Sequence, residues 1–524
     1  MVNAYVVVIL SLSFLFLIHC LLFRRRGRSN GAQLPPSPPA IPFFGHLHLI
    51  ENPLHAALSQ LAERHGPVFS LRLGSRSAVV VSSPECAREC LTENDVCFAN
   101  RPRFPSQLPV SFDGTSLGNS NFGPHWRSLR RIASVHFLSA QRVGGMSGVI
   151  SDEVRAMARR MYRAASVSPG GAARVQLKRR LFELSLSVLM EAVAQTKTTR
   201  QEADGTDADT DMSVEAQEYK HVLDELNPLL GAANLWDYLP ALRWFDVFGT
   251  KRKIMTAVNK RNAFVRRLID TERQRLDDDD DDGSSNGAKK SMISELLTLQ
   301  KTEPEVYTDT VIMTLCTSLF TAGTDSTSTT IEWAMSLLLN HPKILKKAQA
   351  EIDSYVGNSR LIAAEDMPHL IYLQCIISET LRLYPVLPLL IPHESSGDCR
   401  VGGYDVPSGT MLLVNIVAVH RDPSVWKDAE TFRPERFEDG MRDDGLLVMM
   451  PFGMGRRKCP GETLGLRVVG LALGTLIHCF DWERVDGVDV SMAEGGGLSM
   501  SKVVPLEAMC KPRDTMGDAL GKLF

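Results

Sequence analysis

Cys459 stands in PFGMGRRKCPG (451–461), with cations at 456, 457 and 458 before it and Pro460 directly after it. Nearby positive charge lowers a thiol pKa, and exposed backbone N–H groups can hydrogen-bond a sulfur, so this setting suits a thiolate better than a packed core thiol. Gly453, Gly455 and Gly461 would let a flat ligand approach the main chain closely. A surface turn with a free thiol is the bland alternative. Position 459 alone does not choose between them.

Three distant segments carry further candidate chemistry. ETLR (379–382) puts Glu379 and Arg382 three apart on one helix face. That spacing usually marks a surface ion pair of small value, but this helix runs straight into the stiff YPVLPLLIPHE (384–394), so its end is fixed. FRPERF (432–437) adds Arg436 in a proline-constrained stretch shortly before the cysteine loop. FTAGTDSTSTT (320–330) lies in a long apolar helix predicted from Asp309 to Asn340 and ended by Pro342. Gly323 and the hydroxyl residues weaken that helix in mid-course, where side chains bonding back to carbonyls are expected to open a bulge. At that point Asp325 stands beside Ser326, with Thr327 next, and an acid beside an alcohol can move protons.

The elements that position these groups follow from the rest of the chain. Its 524 residues are 44% hydrophobic and 23% charged, and at a net charge of −3 nothing suggests a nucleic-acid binder. Ten cysteines without a C-x-x-C pair read as reduced thiols in a cytosol-facing domain, and no zinc spacing occurs. AYVVVILSLSFLFLIHCLLF (4–23) is about one bilayer of helix, and RRRGR (24–28) follows it, so the positive-inside rule predicts a single-pass anchor with the bulk cytoplasmic. LPPSPPAIPFFG (34–45) reads as a stiff extended spacer. The expected division is an anchor at 1–23, a basic and proline-rich hinge at 24–45, and one catalytic domain at 46–524. Within that domain VFSLRLGSRSAVVVSS (68–83) predicts a hairpin, and Ser83 caps a helix starting at Pro84. The middle is helical by periodicity, broken by polar connectors at 201–213 and 277–290, the latter opening on six aspartates. Strand signals return at 399–423 and around 494–500. The fold class is mainly α, a large helical region with a smaller β-rich region.

Together these segments resemble the cytochrome P-450 superfamily along almost the whole chain. The cysteine loop matches the family's haem signature at Phe452, Gly455, Arg457, Cys459 and Gly461. Glu379–Arg382, Arg436 and Ala322-Gly323-x-Asp325 occur in the family's order, and WRSLR (126–130) matches the helix whose Trp126 and Arg130 reach the haem propionates. His393 occupies a third propionate position. The resemblance implies that Cys459 is the axial iron ligand of a b-type haem, a thiolate donation that favours O–O cleavage. It also implies that Arg457 neutralises a propionate, that Phe452 packs beside the sulfur, and that Glu379, Arg382 and Arg436 form a structural triad. One departure is Ser326, where the family usually carries threonine, so the relay alcohol is Ser326 or Thr327.

DYLPALRWFD (237–246), RLYP (382–385), MPFGMGRRKCPGE (450–462) and the tail at 492–513 resemble the plant microsomal branch with isoflavone hydroxylases, and a grass subgroup acting on xenobiotics and herbicides. The implied activity is NADPH- and O2-dependent hydroxylation, or O/N-demethylation, of a lipophilic small molecule at the endoplasmic reticulum membrane. Rival readings are a haem-thiolate isomerase or dehydratase working on a peroxide without a reductase, and a non-catalytic haem-binding protein. No strand-placed G-x-G-x-x-G occurs, so NADPH and flavins act through a separate NADPH–cytochrome P-450 reductase, with cytochrome b5 as a further partner. Arg127, Arg131, Arg456 and Lys458 are candidates for the reductase-docking face. The expected substrate pocket draws on the loop at 103–122 with Phe122, and on Phe320, Ala322, Val386, Leu387 and Leu498.

Overall fold

The computed structural model describes residues 33–198, 212–230, 234–240, 249–281, 291–438 and 448–523, together with Asp246 and isolated positions between 7 and 14. Most of the anchor, the cationic run at 24–28 and most of both polar connectors lie outside the described residues. The main helices of the first half are Leu54–His65 (α1), Pro84–Leu91 (α2), Pro124–Ala133 (α3), Ser147–Val167 (α4), Leu177–Ala194 (α5), Val214–Leu226 (α6) and Thr250–Asp281 (α7). Met292–Thr302 (α8), Asp309–Asn340 (α9), Pro342–Tyr355 (α10), Ile371–Leu383 (α11) and Glu462–Cys479 (α12) follow.

The predicted hairpin forms. Val68–Leu73 (β1) pairs antiparallel with Arg76–Val81 (β2) across Gly74, whose φ of 56° is the left-handed turn conformation glycine adopts freely. In a second sheet, Ala173–Gln176 (β3) lies at one edge. His393–Glu394 (β4) pairs at the edge of the first sheet, Cys399–Val401 (β5) with Tyr404–Val406 (β6) forms a separate ribbon, and Met411–Val414 (β7) runs parallel to β2. Phe480–Arg484 (β8) and Glu507–Pro512 (β9) complete the β3-β9-β8 sheet. The proline-rich stretch expected as an extended spacer is packed on the domain and ends in a turn: the Ser70 amide donates to Pro36 O at 2.8 Å, buried His46 bonds Pro38 O at 2.8 Å, and Ile41 bridges Gly45.

Several expectations needed correction. The strand signal at 399–423 ends at Val414, because Asn415 caps a short helix, Ile416–His420, by accepting from the Ala418 amide. Around 494–500 there is only an isolated bridge, Glu494 with Lys502. The acidic run begins inside α7, which continues to Asp281. α9 is continuous, with no bulge at the hydroxyl cluster. The back-bonds do form, Thr324 to Phe320 O at 2.8 Å and Ser326 to Ala322 O at 2.6 Å, but the helix absorbs them. Gly323 has a packing reason, since a Cβ there would sit 2.9 Å from a Leu189 methyl on α5.

α9 crosses the main core, and α12 lies against it. Among the described residues α12 is the one helix long and apolar enough to cross a membrane, and 72% of it is buried inside the fold. Its apolar character is that of a core helix.

Candidate active site

The cysteine loop is shaped by its backbone. The Cys459 amide donates to Phe452 O at 2.8 Å and the Gly453 amide to Met450 O at 2.9 Å. Gly455 has φ 63°, and a Cβ there would lie 2.2 Å from Leu91 O, so only glycine fits where the loop crosses the end of α2. Cys459 has accessible surface, yet burial is the largest influence on its thiol and raises its pKa. Both hold for a sulfur that keeps some accessible surface while protein surrounds it on most sides. The Gly461 amide and the Arg130 charge oppose the rise, and the start of α12 at Glu462 adds the positive end of a helix.

Beside the sulfur lies a group of cations. Arg457 donates from Nε to Ala99 O at 2.7 Å and from Nη2 to Ser120 O at 2.5 Å, and its guanidinium lies 4.6 Å from the Trp126 ring. Burial, then the Arg130 charge, pushes Arg457 down to about 10. Arg101, which sequence reasoning missed, is 5% exposed and donates to Gly118, Ile391 and Pro392 carbonyls. The Arg130 side chain makes no hydrogen bond or ion pair among the described residues, and burial lowers its pKa. His393 donates from Nδ1 to Phe98 O at 2.7 Å; burial, then Arg101 and Arg457, hold it well below its usual range, so the ring is neutral with a bare Nε2. Three guanidiniums with no carboxylate to meet them among the described residues form an anion cradle, since burying unpaired cations is costly. A porphyrin carrying two propionates over a cysteine sulfur fits this set. His393 could join only as an imidazolium, once an incoming carboxylate offset the arginine charges.

Behind the loop, Glu379, Arg382 and Arg436 come together in one hydrogen-bonded group. Glu379 and Arg382 are both fully buried. Arg382 donates from Nε to Glu379 Oε2 at 2.7 Å and from Nη2 to Oε1 at 2.9 Å, while Arg436 Nε reaches Oε1 at 3.0 Å. His420, also missed from the sequence, carries this network forward. Its carbonyl accepts from Arg382 at 2.8 Å, and its Nε2 accepts the Met450 amide at 3.0 Å, just ahead of the loop. Burial, then the Arg382 charge, holds His420 at about 3, which keeps that nitrogen an acceptor.

On α9, Ala322 is exposed although the helix is buried on most sides, and Ser326, one turn on, is half-buried. The two share a face. Gly323 and Thr327 share another, which packs towards Leu189, and Thr327 is buried. Asp325 pairs with Lys178 Nζ at 3.0 Å and accepts from Ser499 at 3.3 Å. Lys178, on α5, also donates to Thr329 Oγ1 at 2.5 Å. Neither partner of Asp325 has a signal in the sequence; both reach it only through tertiary packing.

The expected pocket residues divide. Val386, Leu387 and Leu498 are half-buried, and the Met500 amide ties the C-terminal turn to Val386 O at 2.7 Å. Phe320 does not line a cleft: its ring has no accessible surface and packs in an aromatic cluster with Tyr219 and Phe264. Phe122 sits 5.5 Å from Trp126, with Arg127 at 4.7 Å and Arg456 at 5.4 Å over its ring, so it belongs to a cationic surface face. Of the expected docking cations, Arg456 pairs with Asp95 and Lys458 with Glu462, whereas Arg127 and Arg131 are exposed without an ion pair among the described residues.

The sequence profile of the family described as Cytochrome P450 matches residues 35–507. The chain is 42% identical over 499 residues to isoflavone 2'-hydroxylase of Glycyrrhiza echinata, covering 95% of each chain. It is 41% identical over 503 residues to isoflavone 3'-hydroxylase of Medicago truncatula, covering 96% of this chain and 97% of the relative. It is 45% identical over 484 residues to cytochrome P450 81Q32 of Catharanthus roseus, covering 92% of each. A match of this extent, around a cysteine loop and cation cradle that suit a porphyrin, means that the chain belongs to the cytochrome P450 family, haem-thiolate monooxygenases that receive their electrons from a reductase.

Proposed function

We propose that this protein hydroxylates or demethylates a lipophilic specialised metabolite or xenobiotic, with Cys459 as the iron ligand and with Trp126, Arg130, Arg457 and a protonated His393 on the propionates. The observation that carries this reading is the Cys459 sulfur at the start of α12, beside the orphan Arg130, on a helix that packs against α9, whose Ala322–Ser326 face stays accessible. The haem, when bound, supplies dioxygen activation under thiolate donation. Ser326 is the relay alcohol, because it shares the open face with Ala322 while Thr327 is buried. Its Oγ gives up the bond to Ala322 O and hands its hydrogen into the cleft. Asp325, ion-paired with Lys178 and bonded by Ser499 beyond the open face, takes up a proton from the Lys178 ammonium, which reprotonates from solvent, and restores the Ser326 hydrogen after turning towards it.

Substrate meets Ala322, Val386, Leu387 and Leu498, an apolar lining suited to a flat aromatic body. Relatives named isoflavone hydroxylases support a phenolic substrate, and a herbicide is the alternative. Residues 1–23 anchor the protein in the endoplasmic reticulum membrane, 24–45 form the hinge, and 46–524 form the catalytic domain on the cytoplasmic side. Arg127 and Arg131, with Arg456, receive an acidic reductase surface. Reconstitution with NADPH, a plant reductase and a panel of flavonoids, terpenoids and herbicides tests the reading. Product that requires the reductase is expected; turnover of a peroxide without it would instead identify an isomerase or dehydratase.

A further inference from the structure

The buried arginines of the triad and of the cradle have their explanation, and Arg261 stands apart from both groups. Arg382 meets Glu379, and Arg101, Arg130 and Arg457 face the propionate cradle. Arg261, on α7, is 2% exposed and forms no ion pair with a carboxylate among the described residues. Its bonds go to neutral acceptors only: Nη2 to Val110 O at 2.8 Å, and Nε and Nη2 to Asn262 Oδ1 at 3.2 and 3.0 Å. Nη1 has no acceptor among the described residues and is not fully sealed from solvent. The guanidinium lies 5.7 Å from the Phe112 ring. Burial lowers its pKa, and the group opposing that is Tyr219, a phenol itself pushed up to about 12 by burial.

The position is informative. Val110 and Phe112 belong to the loop at 103–122, whose far end is tied to Arg457 through Ser120 O. Tyr219, on α6, meets Thr321 Oγ1 at 3.1 Å, and Thr321 directly precedes the accessible Ala322. Arg261 therefore lies where α6, α7 and this loop meet, and Tyr219 links that junction to Thr321, the residue before Ala322. A staple for one carbonyl would need only one neutral donor. A buried guanidinium with a free N–H pair calls for an anion.

We propose that Arg261 is the anion anchor of the substrate pocket, and that it selects a lipophilic aromatic weak acid in its ionised form. The acidic group, such as a deprotonated N-acylsulfonamide, meets Nη1, and the apolar body extends along the Ala322 face towards Cys459. This rests on the pocket reading given under Proposed function. The test uses the holoenzyme with an N-acyl benzenesulfonamide and its non-ionisable N-methyl derivative at near-neutral pH. Equilibrium dialysis measures affinity, and haem absorbance reports whether the bound ligand reaches the iron site. The expected result is a preference of about tenfold or more for the ionised compound. Arg261→Gln should abolish that preference while binding the N-methyl derivative as before, and Arg261→Lys should keep part of it. An equal ratio in wild type and Arg261→Gln, or equal loss of both affinities, would overturn the anchor and leave a structural staple. An Arg261-dependent preference without any absorbance change would place the anion site outside the pocket and overturn the proposal as stated. If the N-methyl derivative also binds without altering the absorbance, the pocket reading itself fails.

Discussion

Replacing Glu379 by glutamine isolates the charge at the centre of the triad, because the side chain keeps its size and one carbonyl oxygen. In the native protein this carboxylate accepts from Arg382 Nε and Nη2, Arg436 Nε and the Arg433 amide, at 2.7, 2.9, 3.0 and 2.9 Å. Arg382 has no exposed side-chain surface and Arg436 only 5%. Removing the negative charge leaves both guanidiniums buried without an anion, a loss of about 3–5 kcal/mol. The damage should reach the cysteine loop, since the route from Arg382 through His420 to the Met450 amide ends there. Urea titration of the holoenzyme, read by haem absorbance and far-UV circular dichroism, measures the effect. With a slope of roughly 3–5 kcal/mol/M for a chain of this size, the midpoint should fall on the order of 1 M, with absorbance lost before helicity. Glu379→Leu with Arg382→Met should be less damaging than Glu379→Gln, because no charge is then left unpaired at Arg382. A midpoint for Glu379→Gln within about 0.2 M of wild type would refute the reasoning.

Ser326→Ala should leave haem content and substrate binding intact but divert NADPH into peroxide, lowering coupling by about 100-fold or more; Thr327→Ala should do little, and the opposite ranking moves the relay to Thr327. Lys178→Met, which frees Asp325, should also lower coupling and change its pH profile, with Lys178→Arg restoring most of it. His420 sits at about 3 in the fold against 6.5 as a free imidazole, so below pH 6.5 the unfolded chain binds a proton that the native state refuses. Stability is therefore fully present above that value and falls with pH, by up to about 1.4 kcal/mol per unit, until roughly pH 3; His420→Gln should flatten the pH slope of urea unfolding. Arg127→Glu with Arg131→Glu should slow reduction by the reductase about tenfold at low salt and weaken its salt dependence. Unchanged low-salt rates would remove that face from consideration.

What could be read from the sequence was chemistry written into local backbone. The cysteine loop, the Trp126 helix and the Glu379–Arg382 spacing each lie within a few residues, where glycine, proline and helical periodicity are informative. His420, Arg101, Lys178, Ser499 and Arg261 act across long separations, 174 residues between Ser499 and Asp325, and no local pattern marks them. Phe320 was misread for a related reason: α9 is buried on most sides, so apolar periodicity does not tell the cleft face from the core face. Phe122 was misplaced because the loop at 103–122 folds back under surface cations. IVAVH has strand composition, but a capping Asn415 and the buried network at His420 override it.

Labelled dioxygen bears most directly on a monooxygenase built around Cys459. The holoenzyme, NADPH, a plant reductase and an accepted substrate are incubated under ¹⁸O2, and the product is weighed by mass spectrometry. One labelled oxygen should enter each hydroxylated product, only with reductase present, and Cys459→Ser should abolish the incorporation. Product oxygen derived from water, or labelled product from the Cys459→Ser protein at the wild-type rate, would contradict it.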